Sequence, residues 1–224
     1  YSQIRFAMSV ITFSREPCSG GTEIAQTVAQ ALGYRFATKQ TIEQVLLQYG
    51  FSDVAEAYDS VPNFWTRFDD RTHEIVRMFD RVVMALARIG NVVIVGRSAF
   101  KVLASYHDVL NVRIKAPFST RVLTYMQRYN VHDRKEAENA VLEADRARSA
   151  FLDIYYGVKM DSMAPFDLVI NTGKVPARVA APMIIEANKA IMSTICEPHE
   201  STSSIQVDNV LLETTRKSVG ITKL

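Results

Sequence analysis

Only two cysteines occur in 224 residues, Cys18 and Cys196, and they form neither a CxxC pair nor any metal-ligand spacing. That excludes a disulfide-dense secreted scaffold and points to a reducing cytoplasm. Histidine is equally sparse. His73, His107, His132 and His199 stand far apart, with no second His or Cys at ligand spacing, which argues against a zinc site. No apolar run reaches the length of a membrane span, and the opening YSQIRFAMSV lacks the apolar core of a signal peptide, so no membrane association is expected. An excess of one charge is missing too: 26 Lys and Arg against 24 Asp and Glu give a net charge of +2. No commitment to nucleic acid follows, and any anion binding must come from locally placed arginines. Any metal should be magnesium held by oxygen ligands and nucleotide phosphates.

Hydrophobic residues make up 48% of the chain and charged residues 22%, as expected of a globular domain with a substantial core. The chain suits one domain of ordinary to large size with an insertion or appendage, and it contains no internal repeat.

The most informative stretch is Val10 to Leu32, VITFSREPCSGGTEIAQTVAQAL. Val10, Ile11 and Phe13 predict a short strand. Cys18, Ser19, Gly20 and Gly21 form a small-residue loop whose backbone N–H groups can approach an anion. Ile24, Val28 and Leu32 then recur at helical spacing, which directs a helix start and its positive dipole end toward the loop. The match to GxxxxGK[ST] is incomplete. Thr22 falls on the magnesium-binding hydroxyl, but Gly21 stands in the lysine position and Arg15 in that of the first glycine.

Further along, Tyr34 to Thr38 predicts a second strand and Gln40 to Tyr49 a helix, with weak periodicity from Phe51 to Asn63. A long helix follows from about Phe64 to Ile89. Its Arg67, Arg71, Arg77 and Arg81, interleaved with Asp69, Asp70, Glu74 and Asp80, read mostly as a solvated face with i,i+4 pairs. Val92 to Val95 lacks alternation, as expected of a parallel strand buried on both faces, and Gly96-Arg97-Ser98 stands at its carboxyl end, where open parallel sheets bind ligands. Asp108 to Lys115 predicts a fourth strand, and Pro117 and Ser119 open a helix carrying Arg121, Tyr125 and Arg128. Asp133 and Glu136 resemble a capping box that starts a helix reaching about Tyr156. Within that helix, Asp145-Arg146-Ala147-Arg148 is either an exposed salt-bridged face or a pair of clamps over a phosphate chain. Asp167 to Thr172 predicts a fifth strand, and Pro176 opens a last main helix running to Ile195. Five strands alternating with helices predict an α/β fold with a parallel sheet covered on both faces. Glu197 to Ser204 reads as a linker. Ile205 to Leu224 reads as a possible strand, helix and strand start, either an appendage on the core or the front edge of a further domain.

The ordered set SREPCSGGTEIAQTVAQALGYRF, NVVIVGRSA, NVRIKAPFSTRV, the DRAR segment and DLVINT resembles the cytidylate kinase-like family of P-loop proteins, over about residues 8–195. Members of that family show an S-R-E-x-x-S-G-G loop in place of the full Walker A pattern. The resemblance implies a P-loop NTPase fold with a five-stranded parallel sheet, within a domain at 1–196. It places an acceptor-binding helical insertion at about 39–89 and a lid at about 118–160. It implies ATP and magnesium as cofactors and nucleotides as binding partners, with the donor phosphates held by the loop from Ser14 and Arg15 through Ser19, Gly20, Gly21 and Thr22. Thr22 would also reach the metal. Arg97 resembles the arginine that holds the CMP phosphate. Asp145 and Arg148 resemble a lid pair that meets the acceptor, with Arg146 beside them for the transferring phosphoryl group. The activity implied is phosphoryl transfer from ATP to a nucleoside monophosphate, CMP or dCMP, with the charge of the missing lysine supplied by Arg15 or Arg146. The alternatives are a nucleotide-binding regulatory module without turnover, or a kinase for another small hydroxyl acceptor. Thr38 departs from the Asp common in related chains at the start of the acceptor region, which bears on acceptor identity.

Overall fold

In the computed structural model, which describes residues 4–5, 8–51 and 69–220, the run Val10 to Phe13 lies at the centre of a five-stranded sheet. The elements in chain order are β1 (Ile4–Arg5), β2 (Val10–Arg15), α1 (Gly21–Leu32), β3 (Arg35–Ala37), α2 (Lys39–Gln48), α3 (Asp70–Ile89) and β4 (Val92–Val95). They continue with α4 (Ala99–Val102), β5 (Val109–Lys115), α5 (Phe118–Tyr129), α6 (Arg134–Tyr156), β6 (Leu168–Asn171), α7 (Ala177–Met192), β7 (Ile195–Cys196) and α8 (Asn209–Ser218). Strands β3, β4, β2, β5 and β6 lie side by side in that order, all parallel, with Val10 opposite both Val92 and Val109. Because β4 follows an intervening helical segment and still returns beside β2, the phosphate loop after β2 opens at the middle of the sheet's carboxyl edge.

The side-chain alternation of the central strands divides the core in two. Ile11, Phe13, Val112 and Ile114 pack with Ile24 and Val28 of α1 and Ile184 of α7. On the other face, Val10, Val92, Ile94 and Val109 pack with α2, α3, α8 and Phe151 of α6. Each fully buried Val, Ile or Phe on these strands contributes about 1.5–3 kcal/mol of transfer free energy. The same second face carries a polar stripe near the carboxyl edge. Thr12 Oγ1 donates to Asn111 Oδ1 at 2.7 Å, and Arg113 Nη1 donates to Ser14 Oγ at 2.8 Å.

Four local expectations are revised. Asp80 is not on a solvated face: it is half-buried and accepts a 2.7 Å hydrogen bond from the Tyr156 hydroxyl. The last main helix stops at Met192, and Ile195 instead pairs antiparallel with Arg5. The polar stretch read as a linker forms two short 3-10 turns anchored by buried Asp108, whose carboxylate accepts from Ser201 Oγ at 2.8 Å, Thr202 N at 2.9 Å and Thr202 Oγ1 at 2.7 Å. After it, Ile205 packs into the core without forming a strand, and α8 lies against α2 and α3. The start of the long helix expected from Phe64, with Arg67, lies outside the described residues. No helix among the described residues is long and apolar enough to cross a membrane.

Candidate active site

Helix α1 begins at Gly21 behind Gly20, whose φ of 76° is left-handed, and no side chain caps it. Its first-turn N–H groups are therefore available to an anion, and the dipole adds to their pull. The loop before it is held from within. Ser19 Oγ donates to the Glu16 carbonyl at 2.8 Å, and Thr172 Oγ1, just past β6, donates to the Ser19 carbonyl at 2.8 Å. Ser14, nearly buried, accepts from Arg113. A cavity of about 240 Å³ lies over this loop, with Ser19, Gly20, Gly21 and Thr22 on one side and Tyr125, Arg128, Tyr129 and Val141 of α5 and α6 on the other. Tyr125 and Tyr129 pack with ring centroids 4.6 Å apart and planes tilted by 40°, giving the outer wall an aromatic surface. Cys18 lies in this loop, and burial pushes its thiol pKa up despite nearby Arg128.

Steric space around Gly21 accounts for the absent lysine. A Cβ added there would fall 2.6 Å from the Cβ of Arg15 and 3.0 Å from that of Ile114. Arg15 thus occupies the space next to the lysine position and reaches across the loop. Its Nε lies 3.5 Å from Thr22 Oγ1, and its Nη1 lies 2.7 Å from where a Cβ on Gly96 would stand. One arginine spans the helix start and the end of β4.

Beyond β4, Gly96, Arg97 and Ser98 have φ of 83°, 51° and 54°, three left-handed residues in succession. For the two that are not glycine this conformation costs about 1–2 kcal/mol each, a cost often met at ligand-binding turns. The turn drives Arg97 inward, where it is 2% exposed and its Nη2 donates to Glu43 Oε1 of α2 at 2.7 Å. Its guanidinium also lies 5.0 Å from the ring centroid of Phe79 of α3. Arg97 therefore joins the sheet edge to α2 and α3.

The DRAR cluster does not act as one unit. Asp145 turns to Arg121 of α5, whose Nη1 lies 3.0 and 2.9 Å from its two oxygens, rather than to its own helix neighbours. Arg121 also approaches Glu16 Oε2 at 3.4 Å, linking the α5–α6 pair to the loop. Arg148 donates from Nη1 to the Arg15 carbonyl at 2.9 Å and lines the loop cavity, with its Nε buried and unpartnered. Arg146 is solvent-exposed and lines none of the described cavities. A helix turns adjacent residues about 100° apart, so Arg146 points away from the direction of Arg148. Arg128 forms an ion pair with Glu23 across the cavity mouth.

Sequence reasoning missed Glu43, Glu16 and Arg113. Glu43 gives no local signal, whereas Glu16 is the acid of the S-R-E-x-x-S-G-G loop. Arg113 gives one too: it is the charged residue in the otherwise buried run Val109 to Ile114.

Among the described residues no three His, Cys, Asp or Glu side chains gather into a metal cage. Thr22, half-exposed at the helix start, fits a magnesium ion that takes its remaining ligands from nucleotide phosphates and water. The uncapped helix start and loop cavity likewise fit a nucleotide's phosphates.

The model of the cytidylate kinase-like family matches residues 10–174. A cytidylate kinase of Pyrobaculum neutrophilum is 30% identical over 169 residues, covering 74% of this chain and 84% of its own. One of Ignicoccus hospitalis is 30% identical over 165 residues, covering 74% and 90%. A solved structure of an uncharacterized protein from Eubacterium ventriosum superposes with a TM-score of 0.66 at 25% identity, covering 82% of this chain and 99% of its own. With the parallel sheet, the uncapped glycine loop and the match across most of its length, the chain belongs to the cytidylate kinase-like family and is a nucleoside monophosphate kinase-like phosphotransferase.

Proposed function

We propose that this chain transfers the terminal phosphoryl group of ATP to the phosphate of a nucleoside monophosphate, CMP or dCMP, giving ADP and the nucleoside diphosphate. One observation carries the reading. A hollow of about 10 Å³ lined by Ser14, Arg15, Gly96, Ser98 and Arg148 lies beside the loop cavity, and the two share Arg15 and Arg148. A donor on the loop and an acceptor beside the end of β4 would meet at these two cations. The relatives named cytidylate kinases support CMP as the acceptor.

The reaction exchanges one P–O bond for another, so in-line placement and charge stabilisation dominate. An acceptor phosphate has its second pKa near about 6 and is already a nucleophilic oxyanion at neutral pH, so no general base is required. The α1 N–H groups and Thr22 hold the donor, and magnesium, when bound, neutralises charge on its phosphates. Arg15 supplies the positive charge absent at Gly21, and Arg148 fixes the Arg15 backbone while facing the same cavity. Arg97 takes the acceptor phosphate by exchanging it for Glu43, and Asp145 positions Arg121 at the loop. The aromatic wall of Tyr125 and Tyr129 suits the donor base.

The Arg97 to Glu43 pair favours one competing reading, a nucleotide-binding module without turnover, because a carboxylate occupies the arginine needed for the acceptor. Coupled ADP release across the monophosphates, with ATP and magnesium, distinguishes the two. Turnover highest with CMP or dCMP is expected. No monophosphate above background, with ATP still raising the melting temperature, overturns the kinase reading.

A further inference from the structure

Beside Arg97 and Arg121, the described residues bury a third guanidinium, which no step of the proposed transfer uses. Arg113, on the polar stripe of β5, is 2% exposed. It makes one side-chain hydrogen bond, to the neutral Ser14 hydroxyl, and lies 5.6 Å from the ring centroid of Phe166. Its Nε is buried without a hydrogen-bond partner, and it forms no ion pair among the described residues. Glu16, the acid whose charge most opposes its desolvation, is already engaged, since Oε2 accepts from Ala116 N at 2.9 Å and faces Arg121 at 3.4 Å. Desolvation pushes the guanidinium pKa down, Glu16 opposes this, and Arg148 and Arg121 add to it. A buried cation in this state is costly unless an anion joins it.

Space for one is present. A cavity of about 410 Å³ is lined by Arg113 and Lys115 of β5, Ser149 of α6 and Glu16 of the loop after β2. Lys115 is two residues beyond Arg113 on the same strand, so both side chains project from the same face. At the mouth, Lys159 is bound to Asp153 at 2.8 Å and Asp161 is exposed, while Glu16 on the lining turns Oε2 to Ala116 N and Arg121, so Arg113 and Lys115 are the cations left facing the space. We propose that Arg113, Lys115 and Ser149 form a phosphate-binding subsite, separate from the α1 loop, that receives the phosphate of a small-molecule ligand. A planar guanidinium beside an ammonium and a hydroxyl matches a tetrahedral phosphate, with charge-assisted bonds to its oxygens.

The test uses the full chain. Crystals soaked in selenate are expected to show an anomalous peak within hydrogen-bond distance of Arg113 and Lys115. In solution, inorganic phosphate is expected to raise the melting temperature saturably, and Arg113→Met and Lys115→Met to weaken the phosphate affinity about tenfold each, or about 1.4 kcal/mol. Lys115→Met, at a half-buried wall position, carries the test where Arg113→Met does not fold. Two further arms identify the source of the phosphate. If it belongs to the acceptor, Lys115→Met raises KM for CMP about tenfold with kcat nearly unchanged. If it is a free ion or effector, the phosphate response persists at saturating CMP. Selenate confined to residues 19–22, an unchanged phosphate response in both variants, or a crystal peak without any solution shift, meaning an adventitious ion only, overturns the proposal. The selenate and melting readouts do not depend on turnover, so an inactive chain leaves the subsite test intact.

Discussion

Arg148 Nη1 donates to the main-chain carbonyl of Arg15 at 2.9 Å, tying helix α6 to the residue that ends β2 and begins the phosphate loop. The bond joins positions 133 residues apart and leaves the rest of the Arg148 guanidinium facing the loop cavity. Replacing it should therefore reduce chemistry more than folding. Arg148→Ala is expected to lower kcat by about 10²-fold, the scale of losing one preorganised charge stabiliser. A coupled ADP assay alongside circular dichroism checks this, and undiminished kcat in a folded variant would remove Arg148 from the reaction.

The contact between Arg15 and Gly21 predicts that the missing lysine cannot simply be restored. Gly21→Ala places a Cβ 2.6 Å from Arg15 Cβ, an atom too near the backbone to swing aside, and 3.0 Å from Ile114 Cβ. A cost of about 1–3 kcal/mol is expected from such overpacking. Arg15→Gly combined with Gly21→Ala removes the closer collision and should recover much of that loss, a non-additivity that urea denaturation of the four proteins measures. Strictly additive effects would show that Arg15 is not what keeps position 21 as glycine.

This pair also marks how far the sequence could be read. The alternation of apolar runs and helices was sufficient for the sheet, because Val92 to Val95 and Val10 to Phe13 carry the uniform burial of parallel strands in their composition. The motif alignment located Gly21 and Arg15, yet their spatial exchange depends on backbone separation, which spacing alone does not encode. Asp145 and Arg148 were found as neighbours, but their partners, Arg121 and the Arg15 carbonyl, lie 24 and 133 residues away. Arg97 was legible from its place after a strand, whereas Glu43 needed the folded helix region to bring it within 2.7 Å. Glu197 to Ser204 misled for the converse reason. Polar composition ordinarily means solvent, but here the hydroxyls of Ser201 and Thr202 satisfy a buried carboxylate.

That carboxylate gives a stability prediction away from the site. Asp108 is 1% exposed and accepts from the hydroxyls of Ser201 and Thr202 and from the Thr202 N–H. Asp108→Ala leaves these buried donors without acceptors and should destabilise the chain by roughly 2–3 kcal/mol. Denaturant midpoints report the size, and limited proteolysis is expected to cut first within 197–208. A variant as stable and protease-resistant as the wild type would mean that the tail is held by Ile205 and α8 alone.

Asp80 predicts a pH dependence with a defined sign. Desolvation raises its pKa above the ordinary carboxylate value, and the Tyr156 hydrogen bond only partly offsets this. The folded state therefore binds the proton more tightly than the unfolded state. The associated stability is fully present below the unfolded pKa and is lost as pH rises through the raised folded value. Asp80→Asn keeps an oxygen to accept from Tyr156 and removes the ionisation. The variant should be more stable than the wild type at about pH 8, with the gap closing as pH falls toward about 4. Urea midpoints of both proteins across that range check it. A gap that is constant with pH would assign the difference to packing, and a gap that widens in acid would reverse the sign of the shift.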